Sequence, residues 1–268
     1  MSSLQSCKIF LIFSIFIFCF LQNIPCQANT RDGLVGWWRL NDASSGTCTS
    51  TVADSSGQGN TGTCSNSPSW VSGKIWPNAL SFNGSNQYES IPWPWTPDVT
   101  SAFQNATLTY CSWIKTSGLT NSEMGIMGVG DSGNHGWNSA LFNKHFYFWY
   151  SQAGPASNSS PSNATISDGQ WFFLCGVASS ATTISLYING ILDHSFSSGI
   201  STPFTITAVN SQFVIGNEGQ RNVARYFSGS IDDVRVYNRA LTAQEVMDLY
   251  NPGIVIRNAT LRNVKLNT

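Results

Sequence analysis

The stretch Ile184-Ser-Leu-Tyr-Ile-Asn-Gly-Ile-Leu-Asp-His-Ser-Phe196 decides the fold class, because it sets an Asn-Gly pair between two strand-like runs. Asn189 and Gly190 both tolerate the positive φ angles that a two-residue type I′ turn requires, so the stretch predicts an antiparallel hairpin. Short apolar or alternating runs with turn residues between them recur at residues 34–40, 79–82, 107–115, 139–150, 171–177, 213–215 and 230–237. This spacing is typical of strands and predicts an all-β, two-sheet antiparallel β-sandwich.

One short C-terminal helix is expected after these runs. Thr242-Ala-Gln-Glu245 matches a capping box, and Leu241 is placed to pack against Val246 as a hydrophobic staple. The helix is predicted to end near Tyr250, before the Asn-Pro-Gly sequence that follows it.

The composition excludes several classes of protein. The 268 residues include 13 basic and 14 acidic side chains, so the near-neutral chain lacks the basic surface of a nucleic-acid-binding protein. Charged residues make up only 10% of the chain, which is low for a cytosolic protein, and aromatic residues reach 13%, which excludes disorder for most of it.

The N-terminus is predicted to be a secretory signal peptide, residues 1–28. Lys8 precedes an apolar stretch at residues 9–21, and Cys26-Gln27-Ala28 offers a small-residue cleavage site. The stretch is shorter than the roughly 20 residues of a membrane span, although an uncleaved anchor is the alternative. We therefore expect a secreted or cell-surface protein with no membrane span after cleavage.

One domain is expected over residues 29–253, because sandwiches of this size commonly form single domains. A C-terminal tail, residues 254–268, alternates apolar and polar residues as a strand does. The tail is expected to return to the sheet, to pair with another chain in self-assembly, or to fray.

Four cysteines remain after cleavage, an even number in an oxidising compartment. Three connectivities are open, and pairing of Cys48 with Cys64 and of Cys111 with Cys175 is favoured, since the second pair would join two apolar strands. Glycosylation triplets predict surface positions at Asn83, Asn105, Asn158, Asn163 and Asn258.

Several motifs together resemble a known family. They are Leu34-Val-Gly-Trp-Trp-Arg-Leu40, Asp54-Ser-Ser-Gly-Gln-Gly-Asn-Thr-Gly62, Ala79-Leu-Ser-Phe-Asn-Gly84 and Gly229-Ser-Ile-Asp-Asp-Val-Arg-Val-Tyr-Asn-Arg-Ala-Leu241. Their order and spacing resemble the laminin-G-like jelly roll of the concanavalin A-like lectin/glucanase superfamily, over about Gly33 to Pro252. The resemblance implies a jelly-roll sandwich, often calcium-binding, that recognises glycans or proteins.

A structural calcium ion is the predicted cofactor. The loop from Asp54 to Asn60 carries hard oxygen ligands around glycines, although an Asx turn explains the same residues equally well. Asp232 shares strand parity with Val234, so its carboxylate is expected on the inward face, where it needs a cation or backbone donors. The resemblance implies that both segments meet, so Asp54, Asn60 and Asp232 are the predicted metal ligands. Asp233 is expected on the opposite face, in a solvated ion pair with Arg235.

Catalysis is not expected. Glycosidases need two carboxylates that flank the scissile bond. The four glutamates of this chain are dispersed, and the Glu-x-Asp-x-x-Glu strand of the related glucanases is absent from the sequence. The three histidines are scattered and no Gly-x-Ser-x-Gly elbow is present, which argues against a serine hydrolase and a zinc enzyme.

Loop aromatics are the remaining candidates for a binding site. Sugar rings stack on tryptophan while amide and carboxylate groups bind hydroxyls, so the predicted ligand-binding residues are Asp131, Asn134, Trp137 and Trp149. Packing in the core is the alternative for either tryptophan. The predicted function is a secreted non-catalytic module that binds a glycan or glycoprotein. The alternatives are an assembly protein that uses the tail, or a glycan-cleaving enzyme with an unfamiliar site.

Overall fold

Two antiparallel sheets form the part of the chain that the computed structural model describes, namely residues 30–93, 97–119, 122–130, 136–151, 159–180, 183–199, 212–219 and 225–252. The sheets face each other across a shared apolar core. The predicted all-β sandwich is therefore confirmed.

Sheet A has eight strands: β1 (Leu34–Trp38), β4 (Ser69–Ser72), β5 (Asn78–Asn83), β7 (Leu108–Thr116), β11 (Trp171–Ser180), β12 (Thr183–Ile188), β13 (Ile191–Ser197) and β15 (Ser228–Tyr237). Their spatial order is β13-β12-β11-β7-β15-β5-β4. The long strand β15 pairs with β5 through its first half and with β1 through its second half.

Sheet B has seven strands: β2 (Thr51–Val52), β3 (Gly62–Ser65), β6 (Tyr88–Pro92), β8 (Met124–Gly130), β9 (Gly136–Phe142), β10 (His145–Ser151) and β14 (Gln212–Ile215). Their order is β10-β9-β8-β14-β6-β3-β2. Strand β14 therefore lies between β8 and β6, although it comes about 80 residues later than β8 in the chain.

Aromatic side chains from both sheets fill the interior. Trp38 of sheet A stacks on Phe213 of sheet B, with ring centroids 5.5 Å apart. Tyr110 of sheet A contacts both Phe213 and Phe148 of sheet B, at 5.5 and 5.3 Å. Ring pairs of this kind join the two layers, because each buries a large apolar area against the opposite sheet.

A second apolar cluster covers the outer face of sheet A. Helix α2 (Ala243–Tyr250) lies there, with Val246 and Leu249 buried and Tyr250 stacked on Trp113 at 5.5 Å. Thr242 caps the helix and forms the predicted capping box with Glu245. The short C-terminal helix is confirmed, together with its start and end.

The Asn189-Gly190 turn joins β12 to β13 as predicted, with φ of 51° and 80° at the two residues. The run at residues 139–150, in contrast, is two strands and not one. Asn143 and Lys144 have φ of 49° and 67° and turn the chain between β9 and β10. Apolar residues on both sides of this turn hide it in the sequence.

The helix α1 (Pro97–Gln104) was not predicted. It buries Phe103 against Trp93 and Tyr110, with ring centroids 5.2 and 5.8 Å apart. Its eight residues are too few to show a clear helical periodicity.

Two disulfides join the favoured pairs. Cys48 bonds to Cys64, and Cys111 bonds to Cys175, which lies directly opposite it in the ladder between β7 and β11. Both predicted pairings are confirmed.

Residues 1–28 and the tail at 254–268 lie outside the described residues, so the signal peptide, the domain limits and the role of the tail stay predictions. Among the residues that are described, none of the helices has the length and apolar character needed to cross a membrane.

Candidate functional site

The loop predicted to bind calcium folds around the Asp54 carboxylate. Asp54 Oδ1 accepts hydrogen bonds from the backbone N–H groups of Trp37 and Ser56, at 3.0 and 2.8 Å. Asp54 Oδ2 accepts from the Ser56 hydroxyl and from the backbone N–H of Asn60, both at 2.8 Å. The Asn60 amide donates to the carbonyl of Val35 at 2.7 Å. These bonds form the Asx turn that was the alternative interpretation, and they fasten the loop to β1.

A β-bulge in β15 changes the direction of its two aspartates. Asp233 has φ of +52°, and the register between β15 and β7 shifts between Asp232 and Arg235. Ile231 and Val234 both belong to the inner core, although three positions separate them. The extra residue of the bulge therefore resets the alternation, and the predicted inward position of Asp232 is wrong.

Asp232 lies instead on the outer face of sheet A. Its Oδ2 atom accepts hydrogen bonds from the backbone N–H groups of Lys74 and Ile75, at 2.6 and 2.8 Å. Burial raises the pKa of Asp232 to about 6, although these bonds oppose the shift. The backbone-donor alternative thus accounts for this oxygen, whereas the buried Oδ1 has no hydrogen-bond partner among the described residues.

Asp233 lies on the same outer face, which corrects the expectation that the two aspartates leave opposite faces. Its Oδ1 atom accepts from the indole N–H groups of Trp37 and Trp76, at 2.7 and 3.0 Å. The predicted ion pair with Arg235 is present at 3.0 Å, but it is buried and not solvated. The Arg235 guanidinium also lies 4.6 Å from the centre of the Trp37 ring.

Calcium ligation stays a prediction. The hydrogen bonds give Asp54 and Asp232 separate sets of partners, and of the carboxylate oxygens of these two residues only Asp232 Oδ1 lacks a partner among the described residues. Within the described ranges, no cluster of three or more His, Cys, Asp or Glu residues is placed to hold a metal ion. The geometry therefore gives a shared ion little support.

The predicted aromatic site is not assembled. Trp137 and Trp149 are 0% and 6% exposed, and the Trp137 indole N–H donates to the carbonyl of Phe103 at 3.0 Å. The structure therefore corrects both assignments: these rings pack in the protein and leave no face open to a sugar. Asp131 and Asn134 lie outside the described residues.

Three of the predicted glycosylation positions are described, and all three are exposed. The side-chain amide of Asn83 donates to Asn86, that of Asn105 to Ser101, and that of Asn163 to the carbonyl of Asp193. Asn158 and Asn258 lie outside the described residues. Glycosylation stays a prediction at all five positions.

A polar pocket opens on the outer face of sheet B. Its volume is about 370 Å³, and its lining comprises Tyr88, Gln212, Val214, Asn217, Glu218, Gly219 and Tyr226. Tyr88 belongs to β6, whereas Gln212 and Val214 belong to the neighbouring strand β14. The rings of Tyr88 and Tyr226 lie 6.2 Å apart at 32° to each other. The pocket thus combines aromatic surface with amide and carboxylate groups.

Residues 217–219 form one polar wall of this pocket, and glycines of β8 leave the space for it. After β14 the chain turns at Gly216, which has φ of +86°, and residues 217–219 lie across β8. A Cβ atom at Gly125 would lie 2.8 Å from Cγ of Glu218, and one at Gly128 would lie 2.8 Å from the backbone N of Gly219. Side chains at these positions would push the 217–219 segment away from the sheet.

Charged groups behind the wall are paired with one another. Arg225 Nη1 lies 2.8 Å from Glu218 Oε2 and 2.9 Å from Glu123 Oε2. Burial, together with the hydrogen bond and negative charge of Glu123, raises the pKa of Glu218 to about 9, although Arg225 acts in the opposite direction. Burial and the neighbouring Glu123 therefore both favour the protonated form of the Glu218 carboxyl.

Two polar atoms of the wall lack partners. Within the described part of the chain, neither Asn217 Oδ1 nor Glu218 Oε1 has a hydrogen-bond partner. The two residues are 9% and 1% exposed. Buried polar groups are normally hydrogen-bonded, so two unpaired oxygens on adjacent residues are an exception in this segment.

None of these pocket residues was predicted from the sequence to belong to a site. The signal was present in Gly216-Asn-Glu-Gly219, a polar pair between two turn residues that directly follows a strand. What the sequence did not show is that this turn lies over β8, because that contact joins segments about 90 residues apart.

Known structures resemble this fold. Domain 4 of AbnA, a GH43 extracellular arabinanase from Geobacillus stearothermophilus solved in complex with arabinotriose, is 22% identical, with 81% of this chain and 98% of that chain covered at a TM-score of 0.58. The binding domain of Paraclostridial Mosquitocidal Protein 1 is 20% identical, with 84% and 53% covered at 0.64. The binding domain of botulinum neurotoxin DC, solved in complex with SialylT, is 13% identical, with 84% and 52% covered at 0.64.

These likenesses show the fold, and the chain spans about half the length of the two toxin domains. Comparison with curated protein sequences finds no match. The family model of the concanavalin A-like lectin/glucanases superfamily matches residues 83–247, more than half of the chain and most of both sheets. The predicted resemblance is thereby confirmed, and the chain belongs to the concanavalin A-like lectin/glucanases superfamily.

Proposed function

We propose that the protein is an extracellular, non-catalytic glycan-binding module and that the pocket on sheet B is its binding site. The observation that carries the proposal is that the rings of Tyr88 and Tyr226 line one cavity together with the polar residues Gln212, Asn217 and Glu218. A sugar ring offers apolar C–H faces and hydroxyl groups, which match aromatic surface and polar atoms respectively.

The size of the cavity agrees with a small ligand or with the end of a longer one. At about 370 Å³ it lies near the lower limit of ligand pockets, which range from roughly 300 to 1,000 Å³. Two similar sandwiches lend further support: domain 4 of the arabinanase was solved in complex with arabinotriose, and the binding domain of botulinum neurotoxin DC in complex with SialylT.

A hydrolytic role is disfavoured by the carboxylates of this pocket. Glu123 and Glu218 are bonded to the same Arg225 nitrogen and interact directly with each other. A glycosidase separates its two carboxyl groups by about 5 Å or more, so that the scissile bond fits between them. The pair therefore resembles a structural clamp more than an acid and a nucleophile.

Secretion is supported by the two disulfides, since such bonds persist in oxidising compartments. The signal peptide predicted at residues 1–28 agrees with this location.

A glycan array with the protein purified after expression of the full chain tests the proposal, followed by calorimetry on the strongest glycan. We expect Tyr88→Ala and Tyr226→Ala each to weaken binding at least tenfold, because each removes aromatic surface from the pocket. Phe142→Ala is the matched control, since Phe142 is an exposed aromatic residue of sheet B outside the lining. A blank array with folded protein, or unchanged affinity in both tyrosine variants, would overturn the proposal.

Each binding and melting measurement is run with calcium and with a chelator, because calcium binding by Asp54, Asn60 and Asp232 stays a prediction that only a metal measurement tests. A bound ion would raise the melting temperature, and Asp54→Asn would abolish that rise. If the melting temperature does not respond to calcium, the calcium prediction is wrong, and the proposal that the pocket binds a glycan stands.

Assembly between copies is the second candidate, and one observation favours it. Ile191 and Leu192 are 64% and 51% exposed on β13, which is an edge strand of sheet A. Exposed apolar edges pair readily with other chains. Light scattering would show an oligomer that the double variant Ile191→Ser with Leu192→Ser dissociates, whereas a monomer would exclude this candidate.

A further inference from the structure

We propose that the outer face of sheet A carries a second binding site, in which Arg39 binds an acidic side chain of a protein partner. Arg39 directly follows β1, and its guanidinium lies against Trp37 and Trp76, which belong to the apolar cluster on that face. The inference is independent of the proposed function, because none of these residues lines the pocket on sheet B.

Two tryptophan rings form a slot for the Arg39 side chain. The guanidinium carbon lies 4.3 Å from the centre of the Trp37 ring and 4.4 Å from that of the Trp76 ring. The indole N–H groups of both rings donate to Asp233 Oδ1, at 2.7 and 3.0 Å, so one carboxylate fixes both walls of the slot. The guanidinium is therefore held in place before a ligand arrives, which lowers the entropic cost of binding.

The end of the Arg39 guanidinium is open to solvent. Arg39 is half-buried, and its Nε atom is buried without a hydrogen-bond partner. Its two Nη atoms are not hydrogen-bonded either, but they do not belong to the buried atoms, so they reach the surface. A planar pair of N–H donors matches the two oxygens of a carboxylate group. The slot therefore presents a carboxylate-binding group to the outside.

No described residue supplies this carboxylate. Three other arginines form ion pairs with carboxylates of the chain, namely Arg225, Arg235 and Arg239. Arg39 forms none with a described residue. Every Asp and Glu side chain except Asp98 and Asp131 is described, and residues 1–29 and 253–268 contain neither Asp nor Glu. We therefore expect the partner of Arg39 to come from another molecule.

The ring contacts favour an acidic side chain over a sugar. Trp37 is only 7% exposed, and the guanidinium groups of Arg39 and Arg235 already lie 4.3 and 4.6 Å from the centre of its ring. A sugar that stacks on tryptophan needs an open ring face, whereas an Asp or Glu side chain needs only the two free donors. Arginine and tryptophan are also enriched among the residues that dominate binding energy at protein–protein interfaces.

Lys74 adds a second cation to this face. It is exposed, and its ammonium group lies 5.2 Å from the centre of the Trp113 ring, which belongs to the same outer cluster. It precedes Trp76 by two residues, and no described carboxylate pairs with its ammonium group. Two cations favour a segment with more than one acidic residue, because complementary charges steer the partner toward the face.

Calorimetry with an oligoglutamate peptide tests the inference, and an oligoglutamine peptide of equal length is the uncharged comparison. We expect oligoglutamate to bind and its affinity to fall as salt is added, because the contact is charged and exposed. Arg39→Gln should weaken binding by about tenfold or more, since it removes the charge and the paired donors. Lys144→Gln is the matched control, because it removes one positive charge at an exposed position in the turn between β9 and β10 of sheet B.

The inference would be overturned by an oligoglutamate peptide that does not bind or binds no better than oligoglutamine. Equal losses in the Arg39→Gln and Lys144→Gln proteins would contradict it as well. Hyaluronan, a glycan that carries carboxylates, is measured alongside, and tighter binding of hyaluronan than of oligoglutamate would overturn the assignment to a protein partner. None of these outcomes affects the pocket on sheet B.

Lys74→Gln provides a second variant, in case the Arg39→Gln protein does not fold. Lys74 is exposed, so its replacement should leave the melting temperature unchanged. We expect oligoglutamate to bind this variant about threefold more weakly than the wild type, as for the loss of one exposed charge pair. An affinity equal to that of the Lys144→Gln control would contradict a role of this face in binding.

Discussion

Glu89 shows how a single residue in this fold is held in an unusual state. It belongs to β6, is 0% exposed, and neither carboxyl oxygen has a hydrogen-bond partner among the described residues. Burial, with a smaller contribution from the negative charge of Asp42, raises the pKa of Glu89 well above 4.5. Gly62 on β3 leaves the space for this carboxyl, because a Cβ there would collide with it.

For the Glu89→Gln variant, the free energy of unfolding relative to that of the wild type is expected to increase as the pH rises. The folded state keeps the Glu89 proton, whereas the unfolded chain releases it above about pH 4.5, so the free energy of unfolding of the wild type falls as the pH rises from there toward the folded pKa. The difference between variant and wild type should change by about 1.4 kcal/mol per pH unit in that window.

Urea unfolding of both proteins between pH 4 and pH 7 measures this slope. The comparison isolates Glu89, because the other titrating groups are common to both proteins. Parallel stability curves would show that Glu89 is ionised in the folded protein.

At the scale of the element, helix α2 is fixed by the residues at its beginning. Arg239 contacts Glu245 through two nitrogens, at 2.6 and 3.0 Å, and the Thr242 N–H donates to Glu245 Oε2 at 2.8 Å. These hydrogen bonds, with that of Arg239 first, lower the pKa of Glu245 to about 2. The helix can then place Val246 and Leu249 in the cluster on the outer face of sheet A.

Glu245→Gln is expected to lower the free energy of unfolding at pH 7 by about 1–2 kcal/mol, since it weakens the capping box and the ion pair. The folded pKa is depressed, so this contribution is fully present above pH 4.5 and is lost as the pH falls from there toward 2. The wild type and the variant should therefore converge in stability at low pH.

Chemical denaturation at pH 7 and pH 3 tests this expectation. Gln244→Ala, at an exposed position of the same helix, is the control. A stability difference that is the same at both pH values would show that the charge of Glu245 does not contribute.

For the whole molecule, the two disulfides differ in the length of chain that they close. Cys48–Cys64 spans 16 residues at the edge of sheet B, whereas Cys111–Cys175 spans 64 residues and joins the adjacent strands β7 and β11 of sheet A. A longer closed loop removes more entropy from the unfolded chain.

Replacing Cys111 and Cys175 by alanine is therefore expected to destabilise the protein by about 4 kcal/mol, against about 3 kcal/mol for the Cys48 and Cys64 pair. Thermal and denaturant unfolding of the two double variants measures the difference. A larger loss for the Cys48 and Cys64 pair would show that strand geometry outweighs loop length.

Local signals account for the parts of the fold that were predicted. The Asn189-Gly190 turn, the Thr242 cap and the alternating runs depend on neighbours within a few residues, so their structure follows from local sequence. The turn at Asn143-Lys144 was missed because apolar strands continue on both sides of it. Likewise the bulge at Asp233 was missed, because an inserted residue has no sequence signature and the period-two alternation was extended through it.

The sequence by itself determined the fold class, the hairpin, the C-terminal helix and the family, because each rests on local patterns or on the order of motifs. Only the tertiary structure decided that Trp137 and Trp149 are buried, that Asp232 and Asp233 share the outer face of sheet A, and that Tyr88, Asn217, Glu218 and Tyr226 share a pocket. Burial and pocket formation depend on contacts between strands that are adjacent in a sheet but distant in the chain, such as β6 and β14. Periodicity along one strand carries no information about its neighbour, so the site emerges only when the two sheets are assembled.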